Sequence, residues 1–155
     1  MTEITYRLAA SGDAGVLYDM LRLLAHDLGK EHEFSGSREA LLKYGFSETP
    51  AFEAIIAWRG EEPLGFILYF YEFSTWRGAP GIYVQDLYVK QEARGLGLGH
   101  RLTCAAMALA KKREAVYMRL MVHGDNQAGF GFYNAIGFKA VEGETVMLLE
   151  MKDID

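Results

Sequence analysis

A glycine-rich segment in the second half of the chain carries the strongest chemical signal. Gly95, Gly97 and Gly99 follow a stretch that is rich in β-forming residues and lead into one with helical spacing. Glycines let the backbone approach a ligand closely, and the first turn of a helix has free N–H groups and the positive end of the helix dipole. This pattern predicts a site for a phosphate or diphosphate group.

The spacing of these glycines separates three kinds of phosphate loop. The segment lacks the Gly-Lys-Ser/Thr of a P-loop, which disfavours hydrolysis of a magnesium nucleotide. The glycines are spaced G-x-G-x-G rather than G-x-G-x-x-G, and no acidic residue follows a second strand about 20 residues later, so a nicotinamide dinucleotide is also disfavoured. What is left is Arg-x-x-Gly-x-Gly, formed by Arg94, Gly97 and Gly99.

Other common catalytic centres have little support. His26 and His32 are not in a His-Glu-x-x-His arrangement, so we expect no metal site. A Gly-x-Ser-x-Gly elbow of serine hydrolases is absent from the sequence. Cys104 lies in an alanine-rich helical stretch and is expected to be a small buried side chain rather than a nucleophile.

Hydrophobic periodicity predicts the elements that position the loop. Residues 82–89 are rich in β-forming residues and predict a strand, and apolar residues from Leu98 to Leu109 recur on one helical face. The same criteria predict further strands at 3–9, 53–59, 64–73, 115–122, 138–141 and 146–151, and helices at about 16–28, 37–44 and 126–136. The order β-α-α-β-β-β-α-β-α-β-β predicts an α/β protein with a mixed sheet in a single domain, residues 1–155.

Composition excludes several classes of function. The 155 residues are half apolar and 24% charged, as in one ordinary globular domain. The net charge is −5 and basic residues form no long run, so we expect no nucleic acid partner. The longest apolar run, Cys104 to Ala110, is far shorter than the roughly 20 residues that cross a bilayer. Because a secretion signal is not evident and there is one cysteine, we expect a cytoplasmic location without membrane association.

A second motif lies downstream of the glycine loop. Asn126 and Tyr133 are seven positions apart, and both lie in the predicted short helix at about 126–136. Together with the Arg-x-x-Gly-x-Gly loop, this segment resembles the GNAT family of N-acetyltransferases, and most closely its diamine (spermidine/spermine) and thialysine acetyltransferase branch. The matching segments are Tyr44-Gly-Phe-Ser-Glu-Thr-Pro50, Tyr69-Phe-Tyr-Glu-Phe-Ser-Thr-Trp76, Ile82-Tyr-Val-Gln-Asp-Leu-Tyr-Val89 and Gly131-Phe-Tyr-Asn134.

The resemblance implies a fold and a cosubstrate. The fold would be a mixed, mostly antiparallel sheet of about seven strands with about four helices. Acetyl-CoA would be the cosubstrate, and a primary amine would attack its thioester directly. The implied contacts are the backbone of Leu87, Tyr88 and Val89 for the pantetheine arm and thioester, Arg94, Gly95, Leu96, Gly97, Leu98, Gly99 and His100 for the pyrophosphate, and Asn126 beside the arm.

The resemblance also suggests which groups move protons. Tyr133 would be the general acid, since a phenol of pKa about 10 can protonate a departing thiolate whose conjugate acid has a pKa of about 8.5. The same position also fits a core aromatic residue. The diamine branch has a glutamate base in the place of Gln85, whose amide can orient an amine but cannot accept a proton. Other candidate acceptors are Asp86, expected on the opposite strand face from Gln85, and His123 and Glu72.

The acceptor is expected to be a small cationic amine, such as a polyamine, a diamine or a lysine-like amino acid. Acidic residues after the first helix, Asp27, Glu31 and Glu33, could bind it, although they also fit ordinary surface charge. A second interpretation is that the acceptor is a protein or peptide amine. A third is that the protein is a non-catalytic acetyl-CoA sensor, which Gln85 favours and Tyr133 disfavours. The resemblance further implies a homodimer with the C-terminal strands near the contact.

Overall fold

The computed structural model describes residues 2–154, and contacts divide the chain into two compact units. The first unit is Met1–Met121 and the second is Val122–Asp155. The first unit contains all five strands of the described chain, β1 (Ile4–Leu8), β2 (Glu53–Arg59), β3 (Glu62–Ser74), β4 (Ala79–Val89) and β5 (Met118–Leu120). Its helices are α1 (Ala14–Asp27), α2 (Arg38–Gly45) and α3 (Leu98–Lys112). Short 3-10 turns occur at Ser11–Asp13, Glu31–Glu33 and Gln91–Ala93.

The strands form one mixed sheet in the order β1-β2-β3-β4-β5. The first four strands are antiparallel, with short turns joining β2 to β3 and β3 to β4, and β5 is parallel to β4. Helix α3 connects β4 to β5, which is the crossover that a parallel pair requires. The predicted α/β class and mixed sheet are therefore confirmed.

Both faces of the sheet are covered. On one face, alternate residues such as Ile55, Ile67 and Val84 pack with α3, and we call this cluster the α3-side core. On the other face, residues such as Ile56, Phe66 and Tyr88 pack with α1, and we call this cluster the α1-side core. Burial on both faces explains why β2 and β3 are almost continuously apolar rather than alternating.

The second unit contains α4 (Gln127–Ala135) and a 3-10 turn at Met151–Asp153. The prediction of α4 is confirmed, but the predicted strands at 138–141 and 146–151 are wrong: residues 138–150 adopt neither helix nor strand. The sheet has five strands rather than about seven, and β5 has three residues rather than eight. Strand-forming residue types show that a segment can extend, but a strand also needs a neighbour for its backbone groups.

Two further observations concern expectations from composition. Within residues 2–154, no helix has both the length and the apolar character to cross a membrane. Cys104 was expected to be buried, but its side chain is exposed on α3. The core face of α3 is instead formed by Leu98, Leu102, Ala106 and Ala110, and Cys104 lies off that stripe.

Gly65 holds β3 and β4 at close range. A Cβ at this position would lie 2.5 Å from the backbone oxygen of Tyr88 and 3.1 Å from Cα of Val89, so the strands would have to separate. We expect Gly65→Ala to lower the free energy of unfolding by about 1–3 kcal/mol, as overpacking typically does. Denaturant unfolding measures this change. Gly12→Ala is the control, because a Cβ there meets no atom within 4 Å, and equal losses in both variants would contradict the argument.

Candidate functional site

Strand β4 is irregular in its middle. Leu68 pairs with Asp86 and the next residue, Tyr69, pairs with Val84, so Gln85 is an extra residue opposite the β3 ladder, a β-bulge. Val84 belongs to the α3-side core and Leu87 packs against the same core. The two residues between them, Gln85 and Asp86, therefore share the other face, that of Tyr88 and α1. The expectation that Asp86 lies on the opposite face from Gln85 is wrong, because the bulge changes the alternation.

Gln85 and Asp86 differ in environment. Gln85 is exposed, whereas Asp86 is partly buried. Burial raises the pKa of Asp86 from its usual 3.8 to about 6. No hydrogen bond or ion pair to the Asp86 carboxyl occurs among residues 2–154. At neutral pH this is an ionised carboxylate without a basic partner, which can accept a proton from a bound ammonium group.

The edge of β4 opens just after the bulge. Strand β5 pairs with β4 only from Ile82 to Val84, whereas β4 continues to Val89. In the described chain, no strand lies beside residues 85–89 on the β5 side. Backbone groups on that edge can pair with an extended ligand that has its own amide groups.

The N-terminus of α3 presents free backbone donors. Gly97 is the N-cap residue of α3 and has a φ of 79°, a backbone conformation that favours glycine. No side chain caps this helix. In contrast, Ser37 caps α2 through a 3.0 Å hydrogen bond from the Ala40 N–H. Gly95 also has a positive φ of 82°, and a Cβ at Gly95 or Gly97 would meet no atom within 4 Å. The loop and the first turn of α3 therefore form an open, positively polarised surface suited to an anion.

Arg94 is turned toward the rest of the fold. Its Nε donates to the backbone oxygen of Val89 at 2.9 Å, and its Nη2 donates to Asp27 Oδ2 at 2.7 Å. Asp27, which we expected to bind a substrate cation, is thus already paired with an arginine. Residue spacing does not predict this pair, because its members are 67 positions apart.

The other acidic candidates of the first unit also have basic partners. Glu31 contacts Nδ1 of His26, and Glu33 lies 3.9 Å from Nε2 of His32. Glu72 accepts from Arg119 Nε at 2.8 Å and from the Tyr117 hydroxyl at 3.1 Å. Of the carboxylates that we considered in this unit, Asp86 differs in having no such partner among residues 2–154.

Three candidates lie in the second unit. The Asn126 side chain caps α4, because its Oδ1 accepts from the Gly129 N–H at 2.9 Å. Tyr133 is partly buried on α4, and its ring meets the rings of Phe132 and Phe138 edge-on, with centroids 5.2 and 5.5 Å away. His123 is exposed just before α4.

Sequence reasoning located the glycine loop, but it missed the bulge and the divergence of β4 from β5. Residues 82–89 contain no glycine or proline that would signal an irregular strand. The bulge was therefore not readable from the residue types.

Comparison with known proteins extends these observations. The model of the acetyltransferase (GNAT) family matches residues 17–138. The thialysine N-epsilon-acetyltransferases of Bos taurus and Mus musculus are 32% and 30% identical to this chain over 145 residues, which is 88% of this chain and 85% of each relative. A human protein named spermidine/spermine N(1)-acetyltransferase-like protein 1 is 27% identical over 88% of this chain, but the match covers 21% of that protein.

Solved structures share the fold. An integron cassette protein from the mobile metagenome of V. cholerae superposes with a TM-score of 0.79 and 21% identity, over 97% of this chain and 93% of that one. An aminoglycoside acetyltransferase from an uncultured soil metagenomic sample, solved with trehalose, has a TM-score of 0.80 and 16% identity over 96% of each chain. With the family match extending over most of its length, this chain belongs to the GNAT family and is an N-acetyltransferase.

Proposed function

We propose that the protein uses acetyl-CoA to acetylate a primary amine of a small cationic molecule, such as a polyamine, a diamine or a lysine-like amino acid. The observation that carries the proposal is the course of β4, which is bulged at Gln85, open along residues 85–89, and followed by the uncapped α3. Family membership and the names of the relatives support the reaction class.

The donor is proposed to bind mainly through backbone groups. The diphosphate of acetyl-CoA would meet the N–H groups of residues 95–100, where the loop is open and the helix dipole is favourable. The pantetheine amides would pair with the edge of Leu87, Tyr88 and Val89 that has no neighbouring strand, where the Val89 oxygen also accepts from Arg94 Nε. Asn126 is proposed to lie beside the pantetheine arm, because of its position in the family motif.

The reaction that we propose is direct transfer. The amine nitrogen bonds to the thioester carbonyl carbon, the carbon–sulfur bond breaks, and the thiolate of CoA takes up a proton. Tyr133 is the proposed donor of that proton, since a phenol with a pKa of about 10 is protonated at neutral pH. The amine must first lose a proton, because an ammonium ion has no electron pair with which to attack.

Asp86 is the proposed acceptor of the ammonium proton. Gln85 cannot accept it, and Glu72 is engaged by Arg119 and Tyr117. Asp86 shares a face with Gln85, is ionised above a pKa of about 6, and faces no basic partner in the described chain. Gln85 would orient the amine beside it through its amide oxygen.

The pairing of the other carboxylates bears on the substrate. A long polyamine carries several ammonium groups, and each would need an acidic or polar contact. Asp27 and Glu72 are already paired with the arginines Arg94 and Arg119, and Glu31 contacts the His26 ring. The pairing of these carboxylates favours a substrate that presents one ammonium group to Asp86. A lysine-like amino acid fits this requirement better than a long polyamine.

The chain is also proposed to form a single acetyltransferase domain that assembles as a homodimer. The apolar side chains of Val146, Met147, Leu148 and Leu149 are 62–90% exposed. A continuous apolar run of this kind is typical of a strand that is covered on both faces. A second copy of the chain would cover it. The lone Cys104, which has no intrachain disulfide partner, supports the proposed cytoplasmic location.

Release of free CoA thiol tests the proposed reaction. We expect purified protein to release thiol from acetyl-CoA with at least one amine from a panel of polyamines, diamines, lysine analogues and short peptides. Tyr133→Phe should lower kcat about 100-fold, the usual effect of losing a general acid, while CoA still binds. Release with peptides alone would favour the protein-substrate reading. Binding of acetyl-CoA without turnover of any amine or peptide would favour the sensor.

The pH dependence of kcat/KM tests Asp86. Because the ionised carboxylate is the active form, kcat/KM should rise with pH through about 6, and Asp86→Asn should remove this limb and lower kcat/KM about 100-fold at pH 8. Gln85→Ala, which removes an orienting group, should keep the limb and raise the KM of the amine. A limb near pH 6 that persists in Asp86→Asn would show that another group accepts the proton.

Stability provides the control for this variant. The pKa of Asp86 is higher in the folded protein than its usual 3.8, so ionisation opposes folding. The penalty is absent below pH about 4, grows as the pH rises through about 6, and is constant above that, at about 3 kcal/mol or less. Asp86→Asn should therefore be at least as stable as the wild type at pH 8, which separates lost chemistry from lost folding.

Sedimentation equilibrium tests the dimer. We expect a mass of twice the 17.4 kDa of one chain, since association would bury the exposed apolar run. Val146→Lys combined with Leu148→Lys should shift the equilibrium toward the monomer, because association would bury charged side chains without partners. A wild-type protein that sediments as a monomer at all accessible concentrations would contradict this proposal.

A further inference from the structure

Asp27 occupies a position that helix electrostatics disfavours. It is the last residue of α1, where the backbone carbonyls already carry the negative end of the helix dipole. An acidic side chain is usually unfavourable there, and a cation is favourable. The Arg94 guanidinium supplies that cation, with its Nη2 2.7 Å from Asp27 Oδ2. The side chain of Arg94 is 49% exposed and that of Asp27 is 30% exposed, so the pair is accessible from solvent.

Arg94 also binds the end of β4. Its Nε donates to the Val89 oxygen at 2.9 Å, and its guanidinium carbon lies 5.8 Å from the centre of the Tyr88 ring. Burial raises the pKa of Tyr88, and the negative charge of Asp27 raises it further. One side chain thus ties the C-terminus of α1 to the last two residues of the strand proposed to hold the pantetheine arm.

The segment that follows Arg94 has little to fix it. Gly95 and Gly97 are both in the left-handed region, and their surroundings are open within 4 Å of a Cβ. Glycines lose more conformational freedom on ordering than other residues. The nearest buried anchors are Ala93 before the loop and Leu98 after it. The direction in which the chain leaves Arg94, just after the 3-10 turn that follows β4, therefore sets where the glycine N–H groups point.

We propose that Asp27 is a positioning residue for the acyl donor, holding Arg94 so that the glycine loop is arranged for the diphosphate before acetyl-CoA binds. This inference rests on the proposed function and replaces the expectation that Asp27 binds the cationic acceptor. A loop ordered in advance binds more tightly, because less conformational entropy is lost on binding. Loss of the Asp27 charge should therefore weaken the donor and leave the acceptor unaffected.

Two other roles for Asp27 make different predictions. If Asp27 bound the acceptor amine, its loss would raise the KM of the amine and leave CoA affinity unchanged. If Asp27 competed with the diphosphate for Arg94, its loss would tighten CoA binding. Two measurements therefore separate the three roles. They are the direction in which CoA affinity changes and whether the KM of the amine changes.

The experiment is calorimetric titration of CoA into the full chain and into Asp27→Asn, which keeps the size of the side chain. We expect the Kd of CoA to rise about tenfold. At saturating acetyl-CoA, kcat and the KM of the amine with the highest turnover should stay within twofold of wild type. Asp19→Asn is the matched control, because it removes the same charge from an exposed position of the same helix. It should change the Kd of CoA by less than twofold.

A double-variant comparison tests whether Asp27 acts through Arg94. Arg94→Gln should also weaken CoA, and adding Asp27→Asn to Arg94→Gln should weaken it no further. Additive losses, an unchanged or tighter Kd in Asp27→Asn, or a raised KM for the amine alone would overturn the inference. Unfolding in denaturant confirms that each variant is folded. Wild-type protein that does not bind CoA would instead overturn the proposed function, and this inference with it.

Discussion

Strand β4 has to hydrogen-bond to two neighbours that follow different courses. Its ladder with β3 extends from Gly65 to Ser74 of that strand, whereas its ladder with β5 ends at Val84. The extra residue at Gln85 falls at the point where the two requirements diverge, and a bulge there adds local twist. The open edge of β4 and the shared face of Gln85 and Asp86 both begin at this residue. The geometry of the candidate site therefore depends on one unpaired position in the sheet.

The sheet can accept this irregularity because its two cores hold β4 firmly on both sides of the bulge. Ile82 and Val84 pack in the α3-side core before it, and Leu87 and Val89 pack against the same core after it. The close approach at Gly65 fixes the distance to β3 at the far end. Without these constraints the strand could shift its register by one residue and remove the bulge, which would return Asp86 to the opposite face.

Much of the framework could be predicted from sequence. The start of α3 at Leu98 follows from glycine spacing and apolar periodicity, and the strands β2, β3 and β4 follow from runs of β-branched and aromatic residues. The bulge could not be predicted, because residues 82–89 contain no glycine or proline that would mark an irregular strand. The C-terminal strands failed for a related reason: Val146–Leu149 has the composition of a strand, but the described chain gives it no strand neighbour. Likewise, the pairing of Asp27 with Arg94 depends on the folded path of the chain.

The candidate site divides its work between backbone and side chains. The groups suited to the donor are mostly backbone N–H and C=O groups, whose positions are set by β4, the glycine loop and α3. The groups proposed to meet the acceptor are side chains on the α1 face, chiefly Gln85 and Asp86. Backbone recognition tolerates many side-chain changes, so the loop can stay suited to one donor while the α1 face changes to accept different amines. In the proposed arrangement Asp27 and Arg94 cross this division, because Asp27 of α1 holds the arginine that precedes the loop facing the donor. A change in α1 that moved Asp27 would therefore alter donor affinity as well as the acceptor face.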